Sequence, residues 1–141
     1  MVASYMLFSS VYHGQVYVPM NYDNKHWFLL VIHPEAREIL LLDSLDTKGK
    51  SRYKKEMSII TEALHILFHA TGDTSALDRN EWNVRLDASA PKQTNGYDCG
   101  IFVMKYMDIL SSGLLLKDKE LQPHARTFRN SLAYDYLSVA D

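Results

Sequence analysis

Gln93-Thr94-Asn95-Gly96-Tyr97-Asp98-Cys99-Gly100-Ile101-Phe102-Val103-Met104 runs from a polar loop into an apolar helix, and the join falls at the only cysteine in the chain. Ile101, Phe102, Val103, Met104, Tyr106, Met107, Ile109 and Leu110 make that helix apolar on almost all sides. Such a helix belongs in a core, and Gly113 closes it. The thiol therefore sits at a helix N-terminus, where unpaired N–H groups and the positive end of the dipole favour an anion such as a thiolate. A lone cysteine is more often a buried structural residue. Two neighbours weigh against that reading: Gly100 has no side chain to block access, and the stretch from Gln93 to Asp98 is too polar for a core. One cysteine also excludes an internal disulfide and a Cys-rich zinc site, and fits a reducing compartment.

Upstream, residues 15–20 alternate and are rich in Val and Tyr, the pattern of a strand. Residues 26–32 and 37–42 are two more apolar runs of strand length, separated by His33-Pro34-Glu35-Ala36. Pro34 supplies the fixed φ of a type I turn, so the pair reads as an antiparallel hairpin. After a polar connection at 46–50, residues 51–70 carry Tyr53, Met57, Ile60, Ala63, Leu64, Leu67 and Phe68 at three- and four-residue steps. That spacing predicts an amphipathic helix, stopped at Gly72. Residues 73–80 read as a loop and 82–86 as a short strand, and Pro123 opens a last helix running to about Val139. The expectation is an α+β fold in one domain, 1–141, with a small mixed or antiparallel sheet packed against a central buried helix that begins at Cys99.

Composition narrows the function classes. The chain is 47% apolar and 23% charged, ordinary for a soluble globular protein. Net charge is −2 with Lys and Arg scattered, which leaves no footprint for nucleic acid. The apolar runs at 27–32 and 39–42 are too short to cross a bilayer, and residues 1–17 lack the basic start and apolar block of a secretory signal. No membrane, nucleic-acid, cofactor or metal role is expected.

A thiol nucleophile needs a base, and the chain offers six histidines. His13 lies in a stretch that cannot be read, His33 is at the turn, and His124 is one residue into the last helix. His65 and His69 stand one helical turn apart, a spacing that can hold a metal, but no third ligand type accompanies them and a helix surface explains them better. His26 opens a strand and is followed by Trp27. Centring the hairpin turn between Pro34 and Glu35 sets His26 opposite Asp43, with Cβ atoms roughly 5 Å apart. Asp43 is equally readable as a solvated strand end. In the functional reading its carboxylate orients the imidazole, which deprotonates Cys99 and later protonates a leaving amine. Gln93, six residues ahead of the cysteine, can donate its side-chain amide to the resulting oxyanion beside the Cys99 N–H; its bland reading is an exposed loop glutamine.

Taken together, His26-Trp27 opening a strand, Leu42-Asp43-Ser44-Leu45 ending the next, and Gln93 to Gly100 entering a helix resemble the ubiquitin-like-protein-specific cysteine proteases, or SUMO proteases, related to the adenovirus protease. The order His, Asp, Cys separates the chain from papain-like enzymes, where the cysteine comes first. The resemblance implies a His26–Asp43–Cys99 triad, Gln93 in the oxyanion hole, and Trp27 covering a substrate's C-terminal Gly-Gly tail. It runs from about Val16 to Tyr136, and the wording of the Cys99 stretch looks most like plant members. It also implies SUMO or a related modifier as partner and an intracellular setting, nucleus or cytoplasm. Family catalytic domains carry further N-terminal helices. Here the first strand begins almost at Met1, so the expectation is a domain truncated at that end.

Two alternatives stay open at this stage. The fold can persist without catalysis, as a modifier-binding module or a relic of a mobile element. The same triad can also serve acyl transfer, although the sequence shows no basic cluster for the phosphates of coenzyme A.

Overall fold

A computed structural model describes residues 11–12, 14–45, 53–70, 82–118 and 121–139. Its centre is a five-stranded sheet in the order β1 (Val11–Tyr12), β2 (Gln15–Tyr22), β3 (His26–His33), β4 (Glu38–Leu42) and β5 (Asn83–Leu86). The first four strands form an antiparallel meander, and β5 joins β4 in parallel after the helix α1 (Lys54–Ala70). The mixed sheet and the helices make the α+β fold expected from the sequence.

Two turns set the registers. Asp23 and Asn24 adopt φ of 53° and 55°, and the Lys25 N–H donates to Tyr22 O at 3.0 Å. That is a primed turn, whose twist suits a hairpin and whose left-handed backbone Asp and Asn tolerate. Between β3 and β4 the turn spans 34–37, with the Arg37 N–H donating to Pro34 O at 3.2 Å and Arg37 at φ 50°. Pro34 is therefore the first residue of the turn and not its second, and the hairpin is centred one residue later than the sequence reading set it. His33 pairs with Glu38 and Leu29 with Leu42.

Strand alternation divides the sheet into two faces. Tyr17, Leu29, Val31, Leu40 and Leu42 face the helix α2 (Cys99–Ser111), packing on Phe102, Val103, Tyr106 and Ile109. Val18, Met20, Phe28, Leu30, Ile32, Ile39 and Leu41 face the other way, onto Tyr53, Met57 and Ile60. Each such side chain, fully buried, contributes about 1.5–3 kcal/mol. The helix α2 ends where expected: Gly113 has φ 74° and donates to Leu110 O, while the Leu114 N–H reaches Ile109 O. That paired bonding satisfies the last carbonyls of the helix. Met104 is exposed, so α2 is less uniformly buried than its composition implied. A short 3-10 turn (Leu116–Asp118) leads to α3 (Gln122–Val139). The predicted stop at Gly72 and the loop at 73–80 lie outside the described residues.

Candidate active site

β3 opens on His26 and Trp27, and successive residues of a strand point to opposite faces. His26 pairs across the ladder with Tyr22, and its imidazole is buried at this end of the sheet. Trp27 points to the α2 side. A β carbon built on Gly100 would lie 3.8 Å from Trp27 Cδ1, so the start of β3 and the start of α2 meet at this end of the sheet.

Asp43 follows β4 and has no exposed surface. His26 Nε2 and Asp43 Oδ1 are 2.7 Å apart. The expected pair therefore forms, but not through the expected register. Continuing the observed ladder sets Asp43 opposite Phe28, and His26 reaches it on the diagonal, a separation that long side chains span. The carboxylate also accepts the Leu45 N–H at 2.9 Å on Oδ1 and the Tyr53 hydroxyl on Oδ2. Burial on its own pushes the Asp43 carboxyl up. The hydrogen bonds from His26, Tyr53 and the Leu45 N–H, with the charge of His26, outweigh it and hold the carboxyl below its ordinary value.

Cys99 is buried and is the first residue of α2. Asp98 precedes it as N-cap, yet its side chain makes no capping hydrogen bond. Its carboxylate turns away, to Arg129 of α3 at 2.5 Å and to Asn95 Nδ2 at 2.7 Å. Asn95 Oδ1 in turn accepts the N–H groups of Tyr97 and Asp98 at 3.1 and 3.0 Å. The loop is thus folded by its own side chains, and its Asp98 carbonyl accepts the first helical bond from Phe102.

Gln93 is buried, not the exposed glutamine of the bland reading. Ser44, next to Asp43, holds it twice: its carbonyl accepts the Gln93 N–H at 2.9 Å, and its hydroxyl donates to Gln93 Oε1. Lys92 adds a third link, from Nζ to the Asp43 carbonyl at 2.6 Å. One N–H of the Gln93 amide goes to Asn95 O at 2.6 Å. A primary amide carries two.

His33 is at β3's far terminus, and His124 is an exposed residue of α3. His13 and the side chain of His69 fall outside the described residues. Among the described residues no three His, Cys, Asp or Glu side chains gather as a metal site, and no helix is long and apolar enough to cross a membrane. Sequence reading missed Ser44, Tyr53, Asn95 and Arg129. The Asp-Ser order and the Asn four residues ahead of the cysteine were visible, but nothing in the sequence says what they bond.

A mixed sheet with a cysteine-headed helix on one side and a His–Asp pair at the adjoining strand ends places the molecule among the cysteine-proteinase-like α+β domains. Residues 14–140 match the Ulp1 protease family, C-terminal catalytic domain, and the chain belongs to that family. Ubiquitin-like-specific protease ESD4 of Arabidopsis thaliana is 32% identical over 118 residues, which cover 79% of this chain and 22% of that protein. Sentrin-specific protease 2 of Homo sapiens is 29% identical over 123 residues, covering 79% and 18%. The chain spans about a fifth of the length of these relatives. Among solved structures, the C-terminal Ulp1 protease domain in complex with Smt3, the yeast orthologue of SUMO, superposes with a TM-score of 0.57 at 25% identity. That match covers 73% of this chain and 43% of the other. The Ulp1-like SUMO protease catalytic domain of Chaetomium thermophilum gives 0.53 at 27% identity, covering 74% and 38%.

Proposed function

We propose that this chain is a thiol peptidase that cleaves after the C-terminal Gly-Gly of SUMO or a related ubiquitin-like modifier, in precursors or conjugates, in the nucleus or cytoplasm. One observation carries the reading above the others: a buried His26–Asp43 hydrogen bond of 2.7 Å sits at the strand end whose next residue, Trp27, lies against the Cys99 helix. Membership of the Ulp1 protease family supports it.

In this mechanism Asp43 accepts a hydrogen bond from Nε2–H and holds the ring, leaving Nδ1 as the base. Nδ1 takes the Cys99 proton, and Sγ attacks the carbonyl carbon of the terminal glycine. The oxyanion receives the Cys99 N–H and the second N–H of Gln93, whose amide Ser44 and Asn95 already orient. Collapse breaks the C–N bond, and the imidazolium returns its proton to the leaving amine. Water, deprotonated by the same nitrogen, then hydrolyses the thioester and frees the thiol. Trp27 is 38% exposed, enough to roof a tail without side chains, and such a roof would reject bulkier residues by steric exclusion.

The test is reaction with SUMO and NEDD-like modifiers whose C-terminal glycine carries a Michael acceptor, alongside cleavage of their precursors. One modifier should give an adduct at Cys99 by mass spectrometry. Cys99→Ser should lose both adduct and turnover, by at least about 10³-fold, while melting as the wild type does. A cooperatively melting wild-type protein that forms no adduct with either modifier overturns the proposal and favours a non-catalytic module.

A further inference from the structure

A carboxylate has two oxygens, and the proposed chemistry uses one of those on Asp43. Oδ1 faces His26 and the Leu45 N–H. Oδ2 accepts the hydroxyl of Tyr53, ten residues on, at the threshold of α1 and outside all three motifs that carry the family resemblance. The aspartate's terminal torsion is broad, so packing alone does not fix the plane of its carboxylate. A donor on the second oxygen does.

Tyr53 is itself immobile. It has no exposed surface, its ring stacks on Phe28 with centroids 4.1 Å apart and planes at 20°, and Tyr22 meets it edge-on at 5.3 Å. Tyr22 is the cross-strand partner of His26. The aromatic group that holds the hydroxyl is thus built into the β2–β3 hairpin, whose second strand carries the base.

We propose that Tyr53 is a positioning residue of the site: its hydroxyl locks the carboxylate plane of Asp43 and, through it, the ring of His26. The proposal rests on the triad reading given above. It extends the His–Asp pair to a hydrogen-bonded series running from α1 through β4 to β3. The titratable groups around Asp43 come from every neighbouring element. His26 comes from β3, Tyr53 from the start of α1, Lys92 from the loop onto the Asp43 carbonyl, and Tyr106 from α2. Burial and then the Asp43 charge push the Tyr106 phenol up, and its hydroxyl bonds Pro91 O. Of these side chains, His26 and Tyr53 bond the carboxylate itself.

Tyr53→Phe keeps the stacked ring and deletes the donor. Turnover should fall roughly tenfold with little change in KM, the worth of one hydrogen bond to a charged group. With one stabilising bond gone, the Asp43 carboxyl titrates higher, so the acid limb of kcat moves up in pH. Tyr53→Leu should show the same shift together with a lower melting temperature. A Tyr53→Phe variant with wild-type kcat overturns the proposal whether or not the acid limb moves. A second readout does not depend on turnover: the Asp43 ¹³Cγ titration, followed by NMR, should have a higher midpoint in Tyr53→Phe than in the wild type. If the wild type neither labels nor cleaves, the peptidase reading fails, and an unchanged midpoint then overturns the Tyr53 role separately.

Discussion

On the face of the sheet beneath α2, side chains are placed by apolar packing; on the face beneath α1, the carboxylate of Asp43 is placed by hydrogen bonds. Phe102 and Tyr106 have no exposed surface and fix the helix that Cys99 begins. Cys99 itself needs no orienting partner, because its position is that of the helix. Across the sheet, Asp43 is held by a ring nitrogen, a phenol and a backbone N–H. The helix α1, with Tyr53 at its threshold, turns Met57 and Ile60 inward but leaves Ile59 and Ile66 exposed. Packing tolerates small displacements poorly and places a whole element at once, whereas a hydrogen bond aims a single group. The proposed nucleophile and base therefore fail in different ways, one with the fold and the other without it.

The largest effect that separates the faces should come from Asp43→Asn. The amide keeps the volume but presents the wrong partner to His26, so kcat should drop by about 10³–10⁴-fold with KM little changed. Its stability signature has a definite sign. Because the folded carboxyl lies below its ordinary value, Asp43 contributes stability that is fully present above the ordinary pH range of a carboxylate, near 3.8, and is lost as pH falls through the lower folded value. Melting temperatures of wild type and Asp43→Asn, compared by calorimetry, should differ above that window and converge within it. A constant difference would show that the carboxylate charge is not what the fold relies on.

Phe102→Ala breaks the other face. It should cost about 3–5 kcal/mol in denaturant unfolding, as for other buried Phe truncations. The fraction that remains folded should still label at Cys99, and a loss of labelling in that fraction would show that α2 packing also tunes the site. Gln93→Ala removes the amide that Ser44 and Asn95 hold, and should slow acylation by about 10²-fold in single-turnover kinetics while leaving substrate affinity unchanged. A weaker Kd with normal acylation would make Gln93 a binding residue. The smallest effect should be Ile66→Ser on the outer side of α1, within about 0.5 kcal/mol of wild type. A larger loss would mean that this exposed residue is covered in solution.

How far the sequence could be read follows the same division. The helix from Cys99, its glycine stop and the places of β2 to β5 are legible because apolar periodicity and Gly113 record them directly, whereas the two-residue β1 is too short to leave a pattern. The β3–β4 register is not legible either. Arg37 takes a left-handed conformation at φ 50°, and an arginine gives no sign of that as a glycine would. His26 and Asp43 were still paired correctly, since a shift of two residues keeps every side chain on its face. Tyr53 reads as one more apolar position of an amphipathic helix, and nothing in that spacing tells what its hydroxyl bonds. Gln93 stands out in the sequence but its bond to Ser44 does not, and Arg129 is invisible because its partner Asp98 lies 31 positions away. Polar contacts across such separations leave no periodic trace.

The strand alternation at His26-Trp27 has a consequence for how such a site can change over generations. The dipeptide is an ordered instruction: exchanging its two letters would keep the composition of β3 while taking the imidazole from Asp43 and the indole from Gly100. No single-residue replacement crosses between those two arrangements, and a one-residue insertion or deletion in the Asp23–Lys25 turn that slipped the register would invert both assignments together. The site can therefore drift by substitution around this pair, but a reversal of its handedness would have to pass through sequences in which neither letter reads.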